Sequence, residues 1–358
     1  MWFVGLDVHG ESTTACIRNS HGVIIRHEVV PTTRSGLRSI FKNLRGRVRV
    51  TCESGPLAAW VKHSISTRLR EIIVCDARRN RLLSHGSKTD RIDAEKLSEL
   101  LRLNAVHPVY VPRGEYVPLR RLAFHYARMV HDRTRVVQRI RSLFLEVGVR
   151  IPRGKNTRRN VSLRMLRDAA VRQIARAYLR QLDMAADLVA TARRDLVTEA
   201  QRSSVFELLQ SIPYIGEIRA AELMAVVGDP ERFHSIRRFW AYGGLGVVRR
   251  ASAEHRVQNG VLVREQHARG FRLSRNYQPR LKKVLKDIAL HASLGSGAFR
   301  VVYDYHLKRG KQPSIARIAL ARKIAAVILA VWRNGVPFKP SMVRKRKVKS
   351  TSGRASKR

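Results

Sequence analysis

The spacing of apolar residues changes once along the chain, near residues 111 and 112, and this change constrains what the 358 residues can fold into. Before it, short strands alternate with short helices. In chain order these are strands 2–8, 13–18 and 23–30, helix 37–44, strand 48–53, helix 56–69 and strand 71–76. Strand-helix-strand connections of this length place strands in parallel. The first part therefore predicts an α/β layer with an antiparallel meander attached.

After the change, apolar residues three and four apart predict long helices. One stripe spans residues 119–143, and a second, heptad-like stripe spans 171–196 with arginines on its other faces. The second stripe predicts a helical hairpin or an intermolecular coiled coil, and packing onto its own chain alone is the alternative. We predict an α/β domain at 1–112, a helical coiled-coil domain at 113–204, a mainly helical C-terminal domain at 205–340 and a disordered basic tail at 341–358.

Residues 206–227 have the pattern of a helix, a tight turn and a second helix. The turn is Ile212-Pro213-Tyr214-Ile215-Gly216. A helix-hairpin-helix-like motif presents backbone N–H groups and a helix N-terminus to a DNA phosphate, which makes Gly216 a candidate nucleic-acid-binding residue. A plain helical corner is the alternative. Later helices are predicted at 278–291 and 314–332.

The chain carries 71 Lys and Arg against 27 Asp and Glu, a formal net charge of +44, and the excess is spread over most of its length. Charge of this size destabilises a compact state unless a partner neutralises it. Since 55 of the cations are arginines, whose planar fork pairs with phosphate and guanine, nucleic acid is favoured over a lipid surface. Aromatic residues make up only 6%, which disfavours a protein that stacks many bases.

Three further features concern the compartment. The longest apolar run covers nine residues, 324–332, well short of the roughly 18 that span a bilayer. The N-terminus lacks the basic start and cleavage site of a secretory signal, so we expect a soluble cytoplasmic protein associated with the nucleoid. Cys16, Cys52 and Cys75 form no CxxC pair and fall in predicted strands, which predicts reduced core thiols and no zinc site.

Four acidic residues stand where a carboxylate is costly or repelled. Asp7 lies inside the apolar strand 2–8 and Glu53 ends strand 48–53, so each needs a cation or hydrogen-bond donors. Active sites of open α/β sheets lie at such strand ends. Asp90 and Asp93 are three residues apart at the start of a predicted helix, which places both on one face.

Scarce acids grouped in this way are typical of a two-metal phosphodiester site. Hard Mg²⁺ prefers oxygen ligands, and two ions about 3.5–4 Å apart stabilise the attacking and the leaving oxygens. We therefore predict that Asp7, Glu53, Asp90 and Asp93 are catalytic ligands of Mg²⁺. The structural alternative for the helix is that Asp90 is its N-cap and Asp93 lies in the first turn, where the helix dipole favours negative charge.

Three motifs together resemble the DEDD insertion-sequence transposases, relatives of the Piv-type DNA invertases, some of which are guided by a bridge RNA. They are Gly5-Leu6-Asp7-Val8-His9, Glu53-Ser54-Gly55-Pro56 and Lys88-Thr89-Asp90-Arg91-Ile92-Asp93-Ala94. The resemblance continues through 212–216 and 239–245 and covers most of the chain up to residue 293. It implies a RuvC-like, RNase H-type first domain, a helical coiled-coil insertion and a C-terminal transposase domain. It also implies DNA and guide-RNA partners and Mg²⁺ on the four acids.

The same resemblance implies that a serine of the C-terminal domain attacks DNA and forms a phosphoserine link. By position after Gly243-Gly244-Leu245, that serine corresponds to Ser252. It is followed here by Ala253-Glu254, where the family usually has two glycines.

From the residues alone, the segment around Ser252 is rich in arginine. Arg249, Arg250 and Arg256 would bind nucleic acid by holding the scissile phosphate and its developing charge. A surface-loop serine beside phosphate-binding arginines is the alternative. Ser235 and Ser274, which lack the positional match, are weaker candidates for the nucleophile.

The sequence therefore predicts a Mg²⁺-dependent DNA transposase or site-specific recombinase that acts through phosphoserine. Recombining two DNA partners requires paired active sites, so we expect a homodimer or homotetramer. A RuvC-like nuclease or junction resolvase that uses water needs only the four acids, and a covalent protein–DNA adduct would separate the two hypotheses. A non-enzymatic nucleic-acid-packaging protein agrees with the charge but leaves Asp7 and Glu53 unexplained.

Overall fold

The computed structural model describes residues 1–67, 70–76, 89–152, 158, 161–249, 255–258, 261–264 and 271–343. The chain divides into two compact units, Met1–Arg113 and Gly114–Arg358. Lys88, Arg250, Ser252 and the predicted basic tail after residue 343 lie outside the described residues. Residues 341–343 belong to the short helical turn Pro340–Val343, in which Val343 is buried, so they are part of the folded helical unit.

The first unit is built on a five-stranded mixed sheet. Its strands are β1 Trp2–Val8, β2 Ser12–Arg18, β3 Ile24–Pro31, β4 Val48–Glu53 and β5 Arg70–Cys75, in the spatial order β3-β2-β1-β4-β5. β1, β2 and β3 pair antiparallel, whereas β1–β4 and β4–β5 pair parallel. The predicted meander and the predicted parallel layer are both present.

Helices cover both faces of this sheet. α1 Arg34–Ser39 and α2 Ala58–Ile65 pack on the face that carries Val4 and Leu6. α3 Asp90–Arg102 packs on the opposite face, where Leu97 and Leu101 meet Phe3. α3 lies directly against β1 at Gly5, where the absence of a side chain allows the approach. A Cβ at this position would clash with the backbone of Ala94 and Ser98.

Two predicted helices of the first unit have wrong bounds. α1 begins earlier than predicted because Thr33 accepts a hydrogen bond from the Gly36 backbone N–H and caps the helix. α2 ends at Ile65 because Ser66 is extended. The three cysteines lie in β2, β4 and β5 as buried thiols, as predicted, and burial raises the pKa of Cys52 to about 12.

The second unit is mainly helical. Its helices are α4 Tyr116–Glu146, α5 Ala169–Ala200, α6 Val205–Gln210, α7 Glu217–Val227, α8 Ile236–Tyr242, α9 Pro279–Leu294, α10 Ala298–Lys308 and α11 Pro313–Asn334. Two short antiparallel pairs join β6 Val247–Arg249 to β9 Phe271–Leu273 and β7 His255–Gln258 to β8 Val261–Arg264. The predicted long helices appear as α4, α5, α9 and α11, whereas the short α8 and α10 were not predicted.

α4 and α5 form an antiparallel hairpin within one chain. Leu119 at the start of α4 shares a core with Leu196 at the end of α5, and Phe144 at the end of α4 shares another with Leu179. The predicted stripe of α5 is wrong at Ile174, which is 43% exposed. Leu182 and Val189 are buried by residues of their own chain, so these two side chains do not offer a surface to a second protomer.

The core of the remaining helices is centred on α7, α9 and α11. α11 contains the longest apolar run of the chain and begins with a proline at its first residue, which is favourable there. It ends at Gly335, whose left-handed φ of 61° suits glycine. None of the helices in the described residues is both long enough and apolar enough to span a membrane.

Candidate metal centre

Two acidic side chains leave the sheet at the same end and on the same face. β1 and β4 run parallel with Leu6 opposite Cys52, so the next residues, Asp7 and Glu53, follow at the same sheet edge. Because successive strand residues alternate in direction, Asp7 is on the face of Gly5, which is the face covered by α3. Glu53 follows Cys52 on β4 as Asp7 follows Leu6 on β1, so its position is on the same face of the sheet. The parallel pairing of β1 with β4 therefore brings two acids that are 46 positions apart in the sequence to the same edge of the sheet.

The N-terminus of α3 brings the other two acids to this edge. Thr89 is the N-cap, and its hydroxyl accepts a hydrogen bond of 3.3 Å from the Ile92 backbone N–H. Asp90 is the first helical residue and Asp93 lies in the same turn, where the helix dipole favours negative charge. The alternative in which Asp90 caps the helix is therefore wrong, since the threonine hydroxyl already takes that role.

Three side chains that can bind metal come together at this point. Ligand atoms of Asp7, His9 and Asp90 all lie within 4.8 Å of one another. The His9 Nε2 atom is 3.3 Å from Asp7 Oδ2 and 3.6 Å from Asp90 Oδ1. Carboxylate oxygen and imidazole nitrogen both bind divalent metals, so these donors fit one such ion.

His9 is a member of this set that the sequence analysis did not predict, although it ends the motif Gly5-Leu6-Asp7-Val8-His9. The pattern that could have identified it is the spacing Asp-x-His at a strand end, since a period of two places both side chains on one face. The four predicted acids do not all belong to this set. Asp7 and Asp90 belong to the three-residue set, whereas the carboxylates of Glu53 and Asp93 lie outside its 4.8 Å limit.

The pKa of Asp7 reflects burial and neighbouring charges of both signs. Burial is the main cause that raises the pKa of Asp7, and the charges of Asp90 and Asp93 raise it further, while His9 opposes them. The Asp7 side chain is 21% exposed and that of Asp90 is 60% exposed, so desolvation acts mainly on Asp7. A cation bound between the carboxylates would remove this repulsion.

The candidates for nucleic-acid contact lie in the second unit. Gly216 is the exposed N-cap of α7, with extended backbone and no side-chain cap hydrogen bond. Arg249 ends β6 and Arg256 lies in β7, and only their backbone positions belong to the described residues. Ser252 and Arg250 lie outside the described residues.

The two weaker serine candidates have local structural roles. Ser235 caps α8 by accepting a hydrogen bond from the Arg238 backbone N–H. The Ser274 hydroxyl accepts a hydrogen bond of 3.2 Å from the Asn276 backbone N–H within a turn. Neither serine needs a catalytic explanation.

Comparison with known proteins shows two transposase domains in order along the chain. Residues 4–148 match the DEDD transposase model of IS110, and residues 206–304 match the transposase family IS116/IS110/IS902. "Putative transposase y4qE" of Sinorhizobium fredii is 24% identical over 351 residues, covering 92% of this chain and 88% of the relative. "Insertion element IS110 uncharacterized 43.6 kDa protein" of Streptomyces coelicolor is 28% identical over 135 residues, which are 38% of this chain and 30% of the relative.

These matches agree with the structure. The five-stranded mixed sheet is consistent with a RuvC-like fold. A DEDD transposase domain suggests dependence on a divalent metal, for which Asp7, His9 and Asp90 offer donors. Transposases bind DNA and are enzymes that cleave and rejoin it. With both domains matched and a relative similar over nearly its whole length, the chain belongs to the IS110 family of transposases.

Proposed function

We propose that this transposase breaks and rejoins DNA with Mg²⁺ held by Asp7, Glu53, Asp90 and Asp93. The observation that supports it is the convergence of strand ends and helix N-terminus in a chain of net charge +44. It brings Asp7 and Asp90 together, with Glu53 at the end of the neighbouring strand β4 and Asp93 in the same helical turn as Asp90. Mg²⁺ binds hard oxygen ligands, and a pair of ions would stabilise the attacking and leaving oxygens of a phosphoryl transfer.

The proposed nucleophile is Ser252. Its oxygen forms a bond to phosphorus while the bond from phosphorus to one deoxyribose oxygen breaks, the serine proton leaves and the released oxygen takes up a proton. The number of phosphoester bonds is unchanged, so rejoining needs no external energy source. The proposal depends on the position of Ser252 after Gly243-Gly244-Leu245 and on the flanking Arg249, Arg250 and Arg256, which suit a phosphate.

We also propose that DNA contacts extend to the N-terminus of α7. The first N–H groups of a helix have no partner within the helix, and at an exposed glycine a phosphate can approach them closely. Gly216 is exposed, with no atom within 4 Å of the position a Cβ would occupy. A guide RNA is a further partner implied by the family resemblance, and the high arginine content suits it.

A homodimer or homotetramer would supply paired active sites. Leu182 and Val189 are buried within one protomer, so a seam between protomers would use other residues of α5. Met184 and Leu188 are 65% and 44% exposed, and they lie four residues apart on one face. Replacing both with Asp should lower the mass of the assembly on DNA, measured by light scattering, without unfolding the hairpin.

Denaturing gels with labelled DNA test the serine step. We expect a labelled protein adduct that survives denaturation, requires Mg²⁺ and disappears in Ser252→Ala. Ser235→Ala, at a serine that caps a helix, is the matched control and should retain the adduct. Full recombination by Ser252→Ala would refute the serine mechanism, and cleavage without any adduct would support a nuclease that uses water.

A further inference from the structure

His9 stands beside the proposed carboxylate ligands as a nitrogen donor. Its Nε2 atom lies 3.3 Å from Asp7 Oδ2 and 3.6 Å from Asp90 Oδ1, and the three donor atoms are within 4.8 Å of one another. Adjacent ligands of an octahedral ion with bonds of about 2.1 Å are about 3.0 Å apart, and opposite ligands about 4.2 Å. The observed separations are close to this range, so one ion can take all three donors after small side-chain movements.

The backbone that carries this imidazole is held from two sides. The His9 N–H donates a hydrogen bond of 2.9 Å to the Ser12 carbonyl. The His9 carbonyl accepts one of 2.9 Å from the Thr32 hydroxyl, which in turn lies 2.8 Å from the Thr13 hydroxyl. Held backbone reduces the loss of conformational freedom on binding, and this favours a ligand role.

The donor set affects which metal binds best. Carboxylate oxygens suit both Mg²⁺ and Mn²⁺, whereas an imidazole nitrogen is a ligand for first-row transition metals, of which Mn²⁺ is one, and not for hard Mg²⁺. We propose that His9 is a metal ligand, bound through Nε2, and that it makes this centre bind Mn²⁺ more tightly than Mg²⁺. This inference rests on the proposed function, since it requires the ion held by Asp7 and Asp90. Mg²⁺ still binds through the carboxylates.

A competing role for His9 is electrostatic. A protonated imidazole between two carboxylates would stabilise them without binding metal, and the distances to both oxygens are compatible with an ion pair. The two roles differ in a spectroscopic property, because only a bound imidazole places a nitrogen nucleus next to the metal. The test therefore needs a measurement of coordination besides activity.

The first measurement is Mn²⁺ binding to the full chain without DNA, followed by the electron paramagnetic resonance signal of free Mn²⁺. We expect His9→Ala to weaken Mn²⁺ binding by about tenfold or more, within the range for loss of a ligand or its support, and to weaken Mg²⁺ competition much less. His9→Asp, which replaces nitrogen with oxygen, should shift the preference toward Mg²⁺. His21→Ala is the matched control, since His21 is an exposed histidine of the same unit whose backbone N–H makes its turn contact.

The second measurement is pulsed electron paramagnetic resonance of the bound Mn²⁺. We expect a ¹⁴N coupling in the wild type and in His21→Ala, and its loss in His9→Ala. Mn²⁺ that binds and depends on Asp7 but shows no ¹⁴N coupling would overturn the role of His9 and leave the carboxylate site intact. Absence of any Mn²⁺ binding, or binding unchanged in Asp7→Asn, would overturn the proposed metal centre as well.

Discussion

The sheet edge around Asp7 and the polar cluster around Glu222 of α7 each contain a carboxylate whose pKa is raised by burial. Their surroundings differ. Near Asp7, the single histidine His9 lowers the pKa, and the charges of Asp90 and Asp93 raise it by smaller amounts. Near Glu222, Lys283 and Arg280 lower it, and Asp287 raises it less than these cations lower it.

The difference indicates what each region needs. The Glu222 cluster supplies positive charge from its own chain, so it can be stable without a ligand. The sheet edge brings Asp90 and Asp93 close enough to raise the pKa of Asp7, and a bound cation would relieve this repulsion. A repelling group of acids is therefore better evidence of a binding site than a buried acid alone.

The largest effect should be on DNA cleavage, in which variants of Asp7 and Glu222 should differ. Asp7→Asn, like Glu53→Gln and Asp93→Asn, should lower DNA strand cleavage by about 10⁴-fold or more, because loss of metal removes several kcal/mol of transition-state stabilisation. Binding of DNA should stay within a few-fold, measured by fluorescence anisotropy. Glu222→Gln should cleave normally.

This contrast can fail in two ways. Cleavage by Asp7→Asn that no longer depends on Mg²⁺ would contradict the metal role of the sheet edge. Equal loss of cleavage in Glu222→Gln would show that the comparison between a binding site and a structural cluster is wrong.

The next effect concerns the cations outside the sheet edge. If six or more phosphates are contacted, DNA affinity should fall by at least about a thousandfold between 50 and 200 mM salt, with a log–log slope near −0.9 per contact. The slope should be the same in Asp7→Asn, since the acids bind metal and the arginines bind phosphate. A flat salt dependence would mean that the charge of +44 serves something other than phosphate contact.

A smaller effect tests how the fold assembles the sheet edge. Gly5→Ala should destabilise the first unit by about 1–3 kcal/mol, because the new Cβ meets the backbone of α3 at Ala94 and Ser98. Displacing α3 also moves Asp90, so Mn²⁺ binding should weaken. Gly10→Ala is the control, with no atom within 4 Å of its Cβ position and an expected change within about 0.5 kcal/mol.

Thermal unfolding of both glycine variants measures the change in stability, and Mn²⁺ titration measures the change in metal binding. Unchanged stability in Gly5→Ala would contradict the close packing of α3 on β1. Lower stability with unchanged Mn²⁺ affinity would show that the close packing of α3 on Gly5 is not needed to place Asp90 at the site.

The smallest effect is the pH dependence of stability at Glu222. A carboxyl whose folded pKa is raised binds its proton more tightly when folded, so its stabilisation is complete at low pH and is lost as the pH rises through the folded pKa. The Glu222→Gln side chain does not titrate, so this variant keeps its stability as the pH rises. We expect it to be more stable than the wild type near pH 7, by a small amount because Lys283 and Arg280 offset part of the burial cost, and equally stable in acid.

Chemical denaturation at several pH values measures the difference. A variant that is less stable than the wild type at neutral pH would mean that the cations around Glu222 outweigh its burial.

Much of the first unit could be predicted from periodicity. All five strands of the sheet were predicted to within about a residue at each end, because alternation and apolar runs report directly on burial in a sheet. The bounds of α1 and α2 were not, since they depend on which residue caps each end. In α5, periodicity found the helix but placed Ile174 on the buried face, because a stripe in sequence does not specify which of several neighbouring faces the partner helix covers.

By itself, the sequence determined the fold class, the basic character and the two strand acids, since an acid within an apolar strand is costly wherever that strand packs. Tertiary structure decided the rest. Parallel pairing of β1 with β4 brought Asp7 and Glu53 to one edge, and Gly5 allowed α3 to approach and carry Asp90 to Asp7. His9 joined them only through the end of β1 and its backbone hydrogen bonds. Contacts between residues far apart in the chain depend on packing, which a local sequence pattern does not contain.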